Sequence, residues 1–201
     1  MRPRLTSTVV IALFLLVPTM ARAQRLEGAA FITGAFLEQI GSSDHRAGTS
    51  TLGLGGRGVW HLVPGVDLDG ELALHPNAGV SGYKLEGFLG AKVGVRWRGL
   101  GAFVKARPGF LFFSKDPFGA GRPGAMLGRT EWARSLDPAL DVGGVIEGYT
   151  RTGVIVRFDL GDTIVHYHPR TVWVSLQQPA ARVGGFTTRN RRWSIGVSKR
   201  F

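Results

Sequence analysis

The clearest indication of fold class is the stretch Leu85-Glu-Gly-Phe-Leu-Gly-Ala-Lys-Val-Gly-Val-Arg-Trp97. Its odd-numbered residues are all apolar or small, whereas Glu86, Lys92 and Arg96 occupy even-numbered positions. Successive side chains of a β-strand point to opposite faces, so this stretch predicts a strand with one apolar face and one polar face. A transmembrane β-barrel strand needs this pattern, because its outer face meets lipid and its inner face meets a polar lumen.

The same alternation recurs on both sides of this stretch, and helical periodicity is nearly absent. Glycine accounts for 30 of 201 residues, about twice its average usage, as expected for an all-β chain with tight turns. The sequence therefore predicts a closed antiparallel up-and-down barrel of about eight strands. The predicted strands are approximately 25–37, 51–62, 66–74, 85–97, 100–110, 139–149, 154–165 and 191–201.

The connections between these strands alternate between short and long. Three are tight, at 63–65, 98–99 and 150–153, and the intervening four are long, at 38–50, 76–83, 113–138 and 166–190. Outer-membrane barrels have short periplasmic turns and longer external loops. The order of lengths therefore predicts that both ends of the barrel domain lie on the periplasmic side.

Aromatic residues near the predicted strand ends indicate two girdles at the membrane interfaces. The periplasmic girdle would comprise Trp60, Trp97, Tyr149 and Phe201. The external girdle would comprise Phe36, Tyr83, Phe112, Tyr167 and Trp193.

The first 23 residues are typical of an export signal. Arg2 and Arg4 give a positive start, residues 9–17 form an apolar run, and Ala21-Arg-Ala23 is a small-x-small cleavage site. The apolar run is too short to span a bilayer as a helix. We therefore predict a signal peptide at 1–23, and an outer-membrane β-barrel domain at 24–201.

Charge and cysteine content narrow the function classes. Removal of the signal would lower the formal net charge from +11 to +8, which favours anionic lipid as a partner, since an exported chain rarely meets nucleic acid. The chain has no cysteine, which excludes disulfide scaffolds and thiolate metal sites.

The carboxyl end resembles the last strand of small Gram-negative outer-membrane β-barrels. In Trp193-Ser-Ile-Gly-Val-Ser-Lys-Arg-Phe201 an amphipathic strand ends in an aromatic residue. The apolar face of this strand comprises Trp193, Ile195, Val197 and Phe201. Lys199 lies on the same face and departs from the apolar pattern. A second stretch, Leu140–Tyr149 followed by Val156–Thr163, is similar to paired strands of outer-membrane barrel-domain proteins of unassigned role. The resemblance implies recognition of the terminal strand by the barrel-assembly machinery.

Charged residues on the predicted inner faces form the main candidate site. Acids and bases are nearly equal in number, and the interior of an eight-stranded barrel is only wide enough for side chains to fill it. We therefore expect the charges to pair and plug the lumen. This lumen charge network comprises Arg57, Asp67, Asp69, Glu71, Glu86, Lys92, Arg96, Lys105, Arg107, Glu147, Arg157 and Asp159, with Glu27 and Asp141 on the same parity.

Three motifs associated with catalysis or cofactor binding are weaker candidate sites than the lumen charge network. Residues 53–58 match the glycine pattern of dinucleotide sites, but a strand rather than a helix follows them. His166 and His168 would share one strand face, yet no third metal ligand is close in sequence. No histidine is followed directly, or at one remove, by serine, as in the deacylase barrels that the family also contains. We expect no catalytic residue, metal or cofactor.

The sequence thus favours a monomeric, non-enzymatic outer-membrane barrel with a structural or surface-interaction role. Its expected partners are outer-membrane lipid and lipopolysaccharide, with the barrel-assembly machinery during biogenesis and no nucleic acid. A narrow channel or lipid-handling barrel, and a soluble periplasmic lipocalin-like barrel, remain alternatives. The residues proposed to meet lipopolysaccharide from external loops are Arg122, Arg129, Arg134, Arg170, Arg182 and Arg189.

Overall fold

Eight long antiparallel strands form a closed barrel in the computed structural model. The structure describes residues 26–38, 48–78, 82–115, 121–123, 130–132, 134–172 and 181–201. The predicted signal peptide and cleavage site lie outside the described residues. The barrel strands are β1 (Leu26–Glu38), β2 (Gly48–Val63), β3 (Val66–His75), β4 (Lys84–Trp97), β5 (Leu100–Phe113), β8 (Ser135–Tyr149), β9 (Val154–Tyr167) and β12 (Phe186–Arg200).

Each strand pairs with its neighbours along the chain, and β12 returns to pair with β1. The closing seam runs from Glu27 opposite Arg200 to Phe36 opposite Arg191. At its end the Phe201 amide donates a hydrogen bond of 2.9 Å to the Leu26 carbonyl. Closure leaves no unpaired sheet edge, which a barrel in lipid requires because no water is available to satisfy the backbone.

The connections follow the predicted alternation. Tight turns join β2 to β3, β4 to β5 and β8 to β9, and each contains a glycine with positive φ: Gly65, Gly99 and Gly153. The long connections carry two short hairpins, β6 (Gly121–Pro123) with β7 (Thr130–Trp132), and β10 (Arg170–Val172) with β11 (Ala181–Val183). Following the predicted orientation, we call the end with the tight turns the periplasmic end and the end with the long connections the external end.

The two faces of the wall have opposite character. Leu54, Leu72 and Val104 point outward and are 66%, 57% and 67% exposed, whereas Asp69, Arg107 and Glu147 point inward and are fully buried. A soluble lipocalin-like barrel places apolar side chains inside, so that alternative is wrong. In the described part of the chain, no helix is long and apolar enough to cross a membrane.

Every barrel strand extends further at the external end than the sequence predicts; β5 continues to Phe113 and β8 begins at Ser135. The predicted loop 166–190 is shorter, because β9 continues to Tyr167 and β12 begins at Phe186, where the two residues pair. His166 and Arg189 therefore lie in strands. The extension occurs because Val165, Tyr167 and Thr188 continue the inward-facing series and are buried.

Two tyrosines assigned to the girdles face the interior instead. Tyr167 is 1% exposed and packs against Phe186, with ring centroids 5.1 Å apart. The Tyr149 hydroxyl donates a hydrogen bond of 2.7 Å to Glu147 inside the barrel mouth. Each tyrosine lies two residues from an inward-facing residue of its own strand, Glu147 or Val165, and therefore points inward too. Its position near a strand end does not reveal this direction. Trp60, Trp97, Phe201, Phe36 and Tyr83 are outward and 47–61% exposed.

Candidate functional site: the charged interior

The structure places all twelve residues of the predicted lumen charge network inside the barrel. Eleven are buried, and Arg96, near the periplasmic end, is partly exposed. Each reaches the interior because it alternates with outward apolar residues on its strand. The charged groups lie in three groups along the barrel axis, which we call the periplasmic, central and external clusters.

Arg107 joins three strands in the central cluster. Its guanidinium donates to Glu71 at 2.8 Å and to Asp69 at 3.2 Å, both on β3. Its Nε donates to Asp141 on β8 at 2.9 Å. Arg107 therefore spans from the neighbouring strand β8 across the lumen to β3.

Arg157 forms the second centre of this cluster. Its Nε and Nη2 donate to the two oxygens of Asp159, each at 2.9 Å, in a bidentate pair. Nη2 also donates to Asp69 on β3 at 2.5 Å. A third carboxylate, that of Glu147, lies 3.7 Å from Nη1.

Arg57 and Lys105 connect these two centres. Arg57 contacts Glu71 at 2.6 Å and Asp159 at 3.2 Å. Lys105 Nζ lies 2.9 Å from Asp141 and 3.2 Å from Asp159. Acids shared between two bases make the central cluster one continuous network, in which each buried charge has opposite charges beside it.

The periplasmic cluster is built around Asp67. His61 Nδ1 lies 2.6 Å from Asp67, and Lys92 Nζ lies 3.2 Å from it. Arg96 also pairs with Asp67, and Lys92 pairs with Glu147. Because Glu147 also faces Arg157, this cluster continues into the central one.

The external cluster surrounds Glu86 on β4. Lys84 Nζ lies 2.9 Å from Glu86, and His75 Nε2 lies 3.3 Å from it. Arg192 on β12 donates to Glu86 at 3.0 Å and lies 2.5 Å from Glu71 of the central cluster. Thr51 hydrogen-bonds His75 at 3.1 Å.

An apolar cluster lies at the external end of the lumen beside the β5, β8 and β9 strands. Tyr167, Val165 and Phe113 are at most 1% exposed, and Phe186 packs against the cluster. Its buried members are Phe88, Leu111, Phe113, Ala139, Val165 and Tyr167. The external end of the interior therefore combines the charges around Glu86 with a packed apolar cluster.

Three inward aromatic rings lie against the cations. Arg57 lies 4.7 Å from the ring centre of Phe31, and Lys92 lies 4.4 Å from that of Phe103. Arg192 lies 5.5 Å from the ring centre of Phe88. Such cation–π contacts add attraction without adding another buried charge.

Sequence reasoning missed several inward titratable groups, among them His61, His75, Lys84, Asp137 and Arg192. Arg192 is even-numbered, whereas the outward residues Trp193 and Ile195 of the same strand are odd-numbered. Alternation along the last strand was therefore sufficient to place Arg192 on the inner face. Lys84 precedes Leu85 and shares the parity of Glu86. His75 shares the parity of Asp69 and Glu71 and was missed because β3 was ended one residue early.

The terminal-strand residues occupy the outer face, as their parity indicates. Ile195, Val197 and Phe201 are 47%, 54% and 61% exposed, and Trp193 is half-buried on the same face. Lys199 is exposed there too. Ser194 and Ser198 point inward and hydrogen-bond Asp159 and Glu27 respectively.

The basic residues assigned to external loops have varied positions. Arg134 is exposed just before β8, and Arg189 is exposed on β12. Arg122, Arg170 and Arg182 fall in the short hairpins, and Arg129 lies outside the described residues.

The weaker motifs take ordinary places in the barrel wall. Residues 53–58 lie within β2 and lead into more strand rather than a helix. His168 Nδ1 lies 3.2 Å from Asp137, and His166 Nδ1 lies 3.1 Å from the Thr187 hydroxyl. Within the described ranges, no group of three or more His, Asp or Glu side chains is arranged to hold a metal ion.

Comparison with known proteins supports the architecture. No protein-family model and no curated protein sequence matches the chain. Among solved structures, the barrel is similar to Neisserial surface protein A at 12% identity and a TM-score of 0.50, covering 88% of this chain and 97% of that one. It is also similar to the N-terminal β-barrel domain of Pseudomonas aeruginosa OprF at 10% identity and a TM-score of 0.52, covering 90% and 100%. With its closed wall, apolar exterior and charged interior, the chain has the fold of the small eight-stranded outer-membrane β-barrels.

Proposed function

We propose that the chain is a non-enzymatic outer-membrane barrel whose lumen is closed by its own charges and whose external end contacts the surroundings. The observation that carries the proposal is the continuous pairing of the central cluster. Arg107 and Arg157 together pair with Asp69, Glu71, Asp141 and Asp159, and the Arg157–Asp69 pair crosses the lumen from β9 to β3. Side chains of opposite charge that meet across a narrow barrel occupy the space that water or ions would need.

The closed lumen predicts little ion flow. Purified, refolded protein in planar lipid bilayers is expected to give no steady conductance. The double variant Arg107→Ala/Asp141→Ala removes a base together with one of its paired acids, so the net charge of the lumen is unchanged. It is expected to show channel openings. Single-channel current recording measures both.

A matched surface variant controls for general loosening of the barrel. Arg134→Ala removes an exposed arginine outside the lumen and should conduct no more than the wild type. A steady, ion-selective current through the wild-type protein would contradict the closed lumen and favour the narrow-channel alternative.

Location in the outer membrane has its own test. The exported protein is expected to fractionate with outer membranes and to migrate faster on a denaturing gel before heating than after it, because every backbone group of a closed barrel is paired. Membrane fractionation and gels of heated and unheated samples measure this. Recovery of the protein in the soluble periplasmic fraction would contradict the proposal.

The proposed surface role is contact with phosphorylated lipid, including lipopolysaccharide, by basic external residues. Guanidinium groups bind phosphate in a bidentate manner, and Arg134 and Arg189 are both exposed towards the external end. The proposal includes a monomeric barrel, with the barrel-assembly machinery as a partner during biogenesis.

A further inference from the structure

The outer face of β9 and β12 changes abruptly from apolar to polar near the external end. Trp193 lies opposite Leu160, and Leu160 is 58% exposed to the membrane side. One outward rung higher, Arg191 lies opposite Asp162. We call the outward residues Asp162, His166, Thr187, Arg189 and Arg191 the polar notch.

At the level of Arg191 and Asp162, the residues on the neighbouring strands are apolar. On β1 the residue opposite Arg191 is Phe36, which is 51% exposed. On β8 the residues opposite Asp162 and Ile164 are Val142 and Leu140. The notch is therefore a break in the apolar surface of the barrel at the level of an outward aromatic residue.

The charges within the notch do not balance. Arg189 donates to Asp162 at 3.0 Å, and these side chains are 72% and 32% exposed. Arg191 is also exposed, so two guanidinium groups accompany one carboxylate. An exposed ion pair contributes little stability by itself. The second guanidinium group leaves the notch with an excess positive charge beside lipid.

The geometry points to a phosphorylated lipid of the external leaflet as the ligand of the polar notch, held through its phosphate group. This inference deepens the lipid contact of the proposed function by naming a site for it. Aromatic residues such as Trp193 and Phe36 mark the level of lipid headgroups. At that level a guanidinium fork matches phosphate oxygens, and the Thr187 hydroxyl and His166 ring, 3.1 Å apart, lie one rung beyond Arg189.

The test measures binding of bis-phosphorylated lipid A to the refolded full-length barrel in detergent by native mass spectrometry. The Arg189→Gln/Arg191→Gln variant is expected to bind at least about tenfold more weakly, because it loses charge-assisted hydrogen bonds to phosphate. Asp162→Asn removes the carboxylate that competes for Arg189 and is expected to bind more tightly. Lys199→Gln removes one positive charge from the same outer face at the other end of β12 and should bind as the wild type does.

Three results would overturn the site. They are equal binding by wild type and Arg189→Gln/Arg191→Gln, equal binding of dephosphorylated lipid A, and displacement of lipid A by inorganic phosphate at equal concentration. The last result would assign the notch to free phosphate. If Arg134→Gln weakens lipid A binding while the notch variants do not, the lipid contact stands and its location in the notch is wrong. The conductance measurement tests the closed lumen independently of all these outcomes.

Discussion

Replacing Arg157 by alanine is expected to lower the free energy of unfolding by about 3 to 5 kcal/mol, the usual cost of leaving buried charges without their partner. Arg157 is 1% exposed and holds Asp159 in a bidentate pair while also reaching Asp69 across the lumen. Its loss leaves two acids with less compensation in the middle of the barrel. Urea unfolding in detergent micelles, followed by the loss of the fast-migrating gel band, measures the change.

Two further variants separate the lost ion pair from a general effect of truncation. Arg134→Ala removes an exposed arginine and should change stability by less than about 1 kcal/mol. The double variant Arg157→Ala/Asp159→Ala removes the acid together with the base, so it should be more stable than the sum of its single variants predicts. Wild-type stability of Arg157→Ala would show that water already screens the lumen charges.

Deleting Phe201 is expected to reduce insertion into the outer membrane severalfold while leaving export unchanged. The resemblance to small outer-membrane barrels implies that a terminal aromatic residue marks the last strand for assembly. In the folded barrel the Phe201 ring is 61% exposed, and its amide donates to the Leu26 carbonyl at the closing seam. The exposed ring contributes little packing to the finished barrel. A large assembly defect would therefore reflect lost recognition during assembly and not lost packing. Quantification of folded protein in membrane fractions, relative to total exported protein, measures the effect.

Conservative replacement provides the control for this deletion. Phe201→Tyr keeps an aromatic ring and the backbone hydrogen bond, and should assemble as the wild type does. Phe201→Ser keeps the hydrogen bond but loses the ring, so it should resemble the deletion. Normal insertion of both Phe201→Ser and the deleted chain would argue against a terminal assembly signal.

Local alternation was sufficient to predict the barrel and the direction of most side chains. In β4, Leu89, Val93 and Val95 face outward, and Glu86 and Lys92 face inward, as predicted from residues 85–97. The face of a strand residue depends only on its parity, which is a property of the neighbouring sequence. The alternation of short and long connections likewise predicted where the tight turns fall along the chain.

Strand ends were harder to predict, because pairing with a neighbouring strand decides where a strand stops. The β9–β12 pair extends to Tyr167 opposite Phe186, and this extension places Arg189 on the outer face. The polar notch depends on that extension for Arg189, Thr187 and His166, whereas the register of the predicted strands places Arg191 opposite Asp162.

Residue alternation and connection lengths were enough to predict an up-and-down barrel with most of its strand charges on the inner face. Which charges meet is visible only in the folded barrel: Arg192 pairs with Glu86 at a sequence separation of 106, and Arg157 pairs with Asp69 at a separation of 88. The reason is that alternation sets the face of each residue locally, whereas contact across the lumen depends on the combined stagger of all eight strands. That stagger is set only when β12 closes against β1.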